Sequence, residues 1–336
     1  MKNAKIIKGI LQIGGSVLLA VLILYWMYRD FDWAEFNDAV SYQMDWTWML
    51  LSMPFGILAQ VFRGMRWRQA LRPLGESPRL HSCINAVFLS YAASLVVPRI
   101  GEVLRCGVLN RKDGVSFPKS IGTVVTERVI DSLIILLLAA FALLVQMPFF
   151  VSFVRETGVS LSVLIQKFTG AGYFVTIACG LLVLILFLVL IWKLALFSKT
   201  KGVLKNLYEG IMSLRHVENK YLFFGYSIAI WLSYYLHFYL TFFCFPETSG
   251  LSSMAALVAF VVGSFAVLVP TPNGAGPWHF AVKTVLVLYG IGANEAVIFV
   301  LVVHTLQTML VLLLGLYALA FLQLSKTRSW HAENIE

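Results

Sequence analysis

Long, uninterrupted apolar runs dominate the pattern of this chain. A helix needs roughly 20 apolar residues to cross a bilayer, and runs of that kind occupy 10–28, 46–62, 129–147, 173–194, 222–245 and 296–322. Two further apolar segments, 81–97 and 253–269, are shorter and more polar. Each stops at a proline, Pro98 and Pro270, followed by a polar stretch containing glycine. The runs are too continuous for the alternation of a barrel strand. In hydrocarbon the backbone must satisfy its own hydrogen bonds, which leaves helices. The pattern predicts an all-α polytopic membrane protein whose architecture turns on whether the two short segments cross the membrane or turn back inside it.

Charge arbitrates between these options. If both turn back, segments 1–9, 63–80, 98–120, 195–221 and 324–336 lie on one side and hold 20 basic residues. The loops 29–45, 148–172, 246–252 and 291–295 then hold only Arg29, Arg155 and Lys167. If both cross, the division is 12 to 11. Basic residues accumulate in cytoplasmic loops, so the first arrangement is the one expected. It gives six full spans plus two re-entrant hairpins, with the N- and C-termini cytoplasmic in a plasma (inner) membrane. Residues 1–147 then read span, span, hairpin from inside, span; residues 173–322 read the same order upside down, and 323–336 form a cytoplasmic tail. Residues 1–336 thus form a single transmembrane domain, an inverted repeat of the kind used by transporters. Small residues four apart, Ala86, Ser90 and Ser94 in one hairpin and Ala255, Ala259 and Gly263 in the other, allow close helix packing in lipid.

Composition agrees. Hydrophobic residues make up 59% and charged residues 13%, where soluble domains carry about 25% charge; the mean hydropathy is +0.81. The net charge of +9 is explained by cytoplasmic loops without nucleic acid as a partner. Cys83, Cys106, Cys179 and Cys244 are scattered, with no metal-binding spacing. Lys2, Lys5 and Lys8 precede the first run as in a signal peptide. That run ends in Tyr25-Trp26-Met27-Tyr28 without a small-residue cleavage site, as an uncleaved span with an interfacial aromatic belt would.

Four constellations carry candidate chemistry. Arg99, Glu102 and Arg105 follow Pro98 at three-residue spacing, near one face of a helix. Charges there are costly in lipid unless they pair or line a wet cavity; two arginines suit a phosphate, with Glu102 orienting one of them. The other reading is a cytoplasmic amphipathic stretch touching headgroups. Glu127, Arg128 and Asp131 open the run 129–147 and form either a charged cluster or acids that complement a helix N-terminus. Arg63 and Arg66, beside Trp67, close the second run; they count with Arg99, Glu102, Arg105, Glu127, Arg128 and Asp131 as candidate headgroup-binding residues, and snorkelling to the interface is the alternative. In the second hairpin, Pro270, Pro272, Asn273, Gly274, Gly276 and Pro277 exclude a regular helix. Free N–H groups in such a turn bind anions, and His279 and Lys283 follow at i, i+4 on the next helix; an ordinary external loop is the alternative. His81, His237 and His304 read as hydrogen-bonded packing residues. With no metal spacing and no nucleotide loop, neither a metal nor a cofactor is expected.

In order and spacing, Arg63 with Arg66-Trp67, Pro98-Arg99-x-Gly101-Glu102-x-x-Arg105, Glu127-Arg128-x-x-Asp131 and Pro270-x-Pro272-x-Gly274-x-Gly276 resemble the transmembrane region of the lysylphosphatidylglycerol synthase (multiple peptide resistance factor), or flippase-like, family. The likeness extends over about 10–322. It implies a two-hairpin domain that translocates anionic or modified phospholipids, or lipid-linked headgroups, between leaflets. Members often carry Glu three residues after the last glycine of the second motif, where this chain has His279. The soluble aminoacyl-transferase domain of full-length synthases is absent from these 336 residues, so lysyl-lipid synthesis by this chain alone is not expected. The readings that follow are a flippase-like transporter, a membrane-embedded enzyme acting on a polyprenyl phosphate with Glu102 or Asp131 as general base, and a scaffold docking a separate synthase or glycosyltransferase. Homo-oligomers fit any of these.

Overall fold

A computed structural model describes residues 14, 18, 20–29, 33–156, 217 and 219–325. The expected span 173–194, the outer segment 157–172, the basic segment 195–216 and the tail 326–336 lie outside these residues, as do 1–13. Residues 1–139 with 207–336 form one compact unit and residues 140–206 another. Every contact below belongs to the first.

Among the described residues there are helices and no strands. Helix α1 covers 20–28, and α2 (Trp33–Asp38) runs into a π-turn, Ala39–Gln43. Helix α3 is Trp46–Leu71, α4 Leu80–Ser94, α5 Ile100–Asp113 and α6 Phe117–Glu156. Helix α7, Lys220–Tyr239, tightens into a 3-10 turn, Leu240–Cys244. Helices α8 (Ser253–Ala266), α9 (Pro277–Leu288) and α10 (Ala293–Leu324) complete the order. Among the described residues, three stretches are long and apolar enough to cross a membrane: Phe117–Gln146, Lys220–Cys244 and Ala293–Leu324. They contain the expected spans 129–147 (to Gln146), 222–245 (to Cys244) and 296–322.

Two boundaries differ from expectation for local reasons. Helix α3 does not stop at 62. The Asp45 carboxylate caps its start by accepting from the Thr47 N–H at 2.8 Å, and the helix runs through Pro54, Gly56 and Gly64 as far as Arg72-Pro73-Leu74-Gly75, where Gly75 takes a positive φ of 74°. At 26 residues it is about 39 Å long. Arg, Met, Gln and Ala are good helix formers, so charge alone does not end it. Helix α6 starts at Phe117, not at 129. Gly114, with φ 68°, closes α5, and Pro118 falls in the first turn, where a missing N–H costs nothing.

The two short apolar segments are the first arms of helical hairpins. The α4 and α5 arms pack so closely that a Cβ at Gly101 would collide with the Ser90 carbonyl. The α8 and α9 arms meet at Gly263, where an added Cβ would lie 2.9 Å from Trp278. Both pairs depend on the small residues that the sequence places there: Ala86, Ala255 and Ala259 are fully or nearly fully buried. The first hairpin opens where α10 ends, with Lys112 Nζ donating to the Ser325 carbonyl at 2.9 Å and His81 set edge-on to Phe321. The second opens where α10 begins, joined to it through Tyr289–Gly292. The tips therefore point toward each other, and Arg99 Nη2 donates to the Leu268 carbonyl at 3.0 Å. A core of Trp67, Leu71, Cys83, Val87, Cys106, Leu109 and Val124 ties α3, the first hairpin and the start of α6 together.

Candidate functional site

The chain's charged motifs converge behind the first hairpin tip. Helix α3 brings Arg63 and Arg66 to the face of α6 that bears Glu127 and Asp131. Arg63 Nη1 lies 2.6 Å from Asp131 Oδ2, and Arg66 Nη2 lies 2.8 Å from Asp131 Oδ1. From the hairpin, Arg105 Nη2 reaches Glu127 Oε2 at 2.6 Å, while Arg66 Nε stands 3.5 Å from Glu127 Oε1. Arg128 completes the set, 3.3 Å from Glu102 and 3.4 Å from Asp131. Aromatic faces and hydroxyls close the rest. The Arg105 guanidinium lies 4.5 Å from the centre of the Trp67 ring, and Trp67 Nε1 donates to Thr123 at 2.9 Å. Arg66 Nη1 donates to Ser227 at 3.1 Å, and the Tyr234 hydroxyl donates to Tyr91 at 2.9 Å.

This arrangement decides between readings that the sequence left open. Arg63 and Arg66 do not snorkel: they are 3% and 0% exposed. Paired guanidiniums satisfied by carboxylates can be buried where lone ones cannot. Glu127 and Asp131 do not complement a helix N-terminus either, because α6 begins at Phe117. Their partners come from α3 and α5.

A cavity of about 170 Å³ lies between the two hairpin tips, lined by Arg63, Arg99, Arg105, Arg128 and Glu102, by Ser90, Tyr91, Ser94 and Pro98, and by 267–274 without Leu268 and Pro272. Arg66, Glu127 and Asp131 stand behind this wall and hold its arginines. The eight charged groups comprise five guanidiniums and three carboxylates, an excess of two positive charges. Arg105 is 1% exposed, and its buried Nη1 has no hydrogen-bond partner among the described residues. An unsatisfied buried donor is costly; together with the charge excess it suits the cavity to an anion such as a phosphate. Both tips also hold an unusual backbone. Arg99 (φ 64°) and Asn273 (φ 52°) are the two non-glycine residues at positive φ among the described residues. Such conformations concentrate at ligand sites because packing must hold them there.

Of the second-tip residues singled out from sequence, Pro270, Asn273 and Gly274 line the cavity. The others do not. Pro272 faces a neighbouring cavity, and Gly276 packs against α1, where an added Cβ would lie 3.0 Å from Ile23. His279 is buried, its Nδ1 accepting from the Gly276 N–H at 3.3 Å and its ring 4.5 Å from that of His304. Lys283, a full turn further on, does not line the cavity. The tip amides are not free for an anion: those of Thr271, Gly274 and Ala275 donate to carbonyls of the same loop. The positive groups of the cavity are side chains. His237 is a hydrogen-bonded packing residue, as read, its Nδ1 bonding the Ser52 carbonyl at 2.8 Å beside Gly56, and His304 packs on His279 with its Nε2 3.3 Å from Asn273; His81 is exposed, its ring against Phe321. Tyr91, Tyr234 and Ser227 were not legible as site residues. Their one signal was a cluster of hydroxyls in otherwise apolar runs.

Residues 13–315 match the family described as the lysylphosphatidylglycerol synthase TM region. A glycosyltransferase, AglD of Haloferax volcanii, is 29% identical over 129 residues, 38% of this chain and 20% of the relative. The chain thus matches about one fifth of that relative's length. With the family match running through both hairpins and all four constellations, the chain is a membrane protein belonging to the lysylphosphatidylglycerol synthase transmembrane-region family.

Proposed function

We propose that this protein translocates a lipid with an anionic headgroup, either a phospholipid or a polyprenyl-linked lipid, between the leaflets of the plasma (inner) membrane. The observation that carries the reading is the arginine-lined cavity between two hairpin tips that approach from opposite ends of α10. A phosphate received by Arg99 and Arg105 would neutralise the excess charge, with Glu102 and Arg128 setting its orientation. On this reading both hairpins are re-entrant, six spans surround them, and halves 1–147 and 173–322 form an inverted repeat. Support comes from the matching order of long helix, hairpin and long helix in α3–α6 and α7–α10. The clustering of basic residues at the open end of the first hairpin also favours it: Arg68, Arg72, Arg79, Arg111, Lys112 and Lys119 lie there. Rocking of one half against the other would expose the headgroup to each leaflet in turn.

The test is a leaflet assay in proteoliposomes, with fluorescent phosphatidylglycerol and phosphatidylcholine as probes. Wild type is expected to move the anionic probe faster, and Arg99→Ala to slow it at least tenfold. Arg99 is exposed and makes one contact to a backbone carbonyl, so its removal leaves the fold intact. Equal rates in wild type and Arg99→Ala would rule the proposal out.

The name of the Haloferax relative favours a second reading, in which the chain holds a lipid-linked phosphate for a separate glycosyltransferase. Co-purification of such a transferase, with no transport by this chain alone, would select it.

A further inference from the structure

A second cavity adjoins the first. It measures about 570 Å³ and lies between α1, the second hairpin tip and α10, within the roughly 300–1,000 Å³ of ligand pockets. The lining includes Leu24, Leu95, Ala275, Leu301 and Met309 and no Asp, Glu, Lys or Arg side chain. The hydrogen-bonding groups that meet it around the tip are occupied by one another. Asn273 Nδ2 donates to Thr308 at 2.6 Å and lies 3.3 Å from His304 Nε2, and His279 bonds the Gly276 amide. Tyr28, Trp33 and Thr305 also border it, but without a charged side chain in the lining the surface suits a hydrocarbon chain better than a phosphate.

The two cavities share a wall. Asn273 lines both, and Ser94 on the charged side is followed in the chain by Leu95 on the apolar side. The wall is therefore one residue thick at the second tip, and that residue is held at positive φ by side chains of α10.

We propose that the two cavities are one bipartite lipid site, in which the phosphate occupies the arginine cavity and an acyl or prenyl chain of the same molecule lies in the apolar cavity, passing around Asn273. The proposal rests on the headgroup reading above and extends it to the chain. A hydrocarbon chain gains little by leaving one apolar medium for another. The apolar cavity therefore sets the position of the lipid more than its affinity. It holds the glycerol or isoprenoid end near Asn273 while the arginines hold the phosphate. A soluble phosphate ester lacking a chain would fill half of the site.

The full-length chain in nanodiscs, loaded with phosphatidylglycerol bearing a diazirine on one acyl chain, tests this by photo-crosslinking and peptide mass spectrometry. Labelling is expected at Leu301, Thr305 and Met309. Arg99→Glu should cut it at least fivefold by repelling the headgroup. Thr305→Trp, at an exposed α10 position on the cavity rim, should cut it similarly while co-purified phosphatidylglycerol still depends on Arg99. Equal labelling by a phosphatidylcholine probe, insensitive to Arg99→Glu, would mean ordinary bilayer lipid in a groove and would overturn the proposal. Absence of labelling in the cavity, with Arg99-dependent phosphatidylglycerol retention intact, would overturn the chain position and leave the headgroup reading standing. Retention that ignores Arg99 would remove both.

Discussion

Glu127 is the residue on which the site's electrostatics converge. It is buried and faces Arg105 at 2.6 Å and Arg66 at 3.5 Å. Removing one member of a buried ion pair leaves the other charge without compensation, typically costing about 3–5 kcal/mol. Glu127→Gln is expected to lower the thermal midpoint of the purified protein sharply, and Arg105→Met in the same chain to restore part of the loss. An unchanged midpoint in Glu127→Gln would show that the pair contributes nothing. Arg99 behaves oppositely. It is exposed with no carboxylate partner among the described residues, so Arg99→Ala should leave the stability within about 0.5 kcal/mol of wild type, as surface changes do, while transport falls. A transport defect accompanied by unfolding would instead assign Arg99 a structural role. The acidic and basic motifs around these residues were legible from spacing along the chain. Which carboxylate meets which guanidinium was not, because Arg66 and Asp131 lie 65 positions apart.

At the scale of elements, the hairpins depend on residues too small to keep their arms apart. A methyl group at Gly101 would meet the Ser90 carbonyl, whereas one at Gly107 on the same helix meets nothing within 4 Å. Gly101→Ala is therefore expected to destabilise, and Gly107→Ala to stabilise by up to about 1 kcal/mol through helix propensity. Thermal unfolding of the two variants measures the difference, and equal midpoints would mean that the arms are not in contact. The second tip follows the same logic through its backbone. Asn273→Gly keeps the positive φ accessible, while Asn273→Val, β-branched, does not. Helix boundaries were the least legible feature at this scale. The apolar pattern of 46–62 ends at Arg63, but the helix continues to Leu71 because its arginines find carboxylates that the local sequence does not reveal.

For the molecule as a whole, the opposed hairpins make a prediction about sidedness. In a cysteine-free background, single cysteines at Ser116, before α6, and Ser249, before α8, should be labelled by an impermeant maleimide from opposite sides of the membrane. Labelling of both from the same side would dismantle the inverted arrangement and the lipid path with it.

The sequence by itself determined that the chain lives in lipid, that its backbone is helical, where two apolar segments are shorter and more polar than the rest, and which charged motifs stood near their ends. Those properties follow from local composition and periodicity, because each helix must bury its own backbone polar groups whatever surrounds it. The tertiary structure decided that Arg63 and Arg66 are buried, that Arg99 reaches Leu268 across 169 positions, and that His279 packs beside His304 instead of joining the arginines. These are matters of which helix faces which. In an apolar solvent that choice rests on close packing and on pairing of the few charges, both of which join residues distant along the chain.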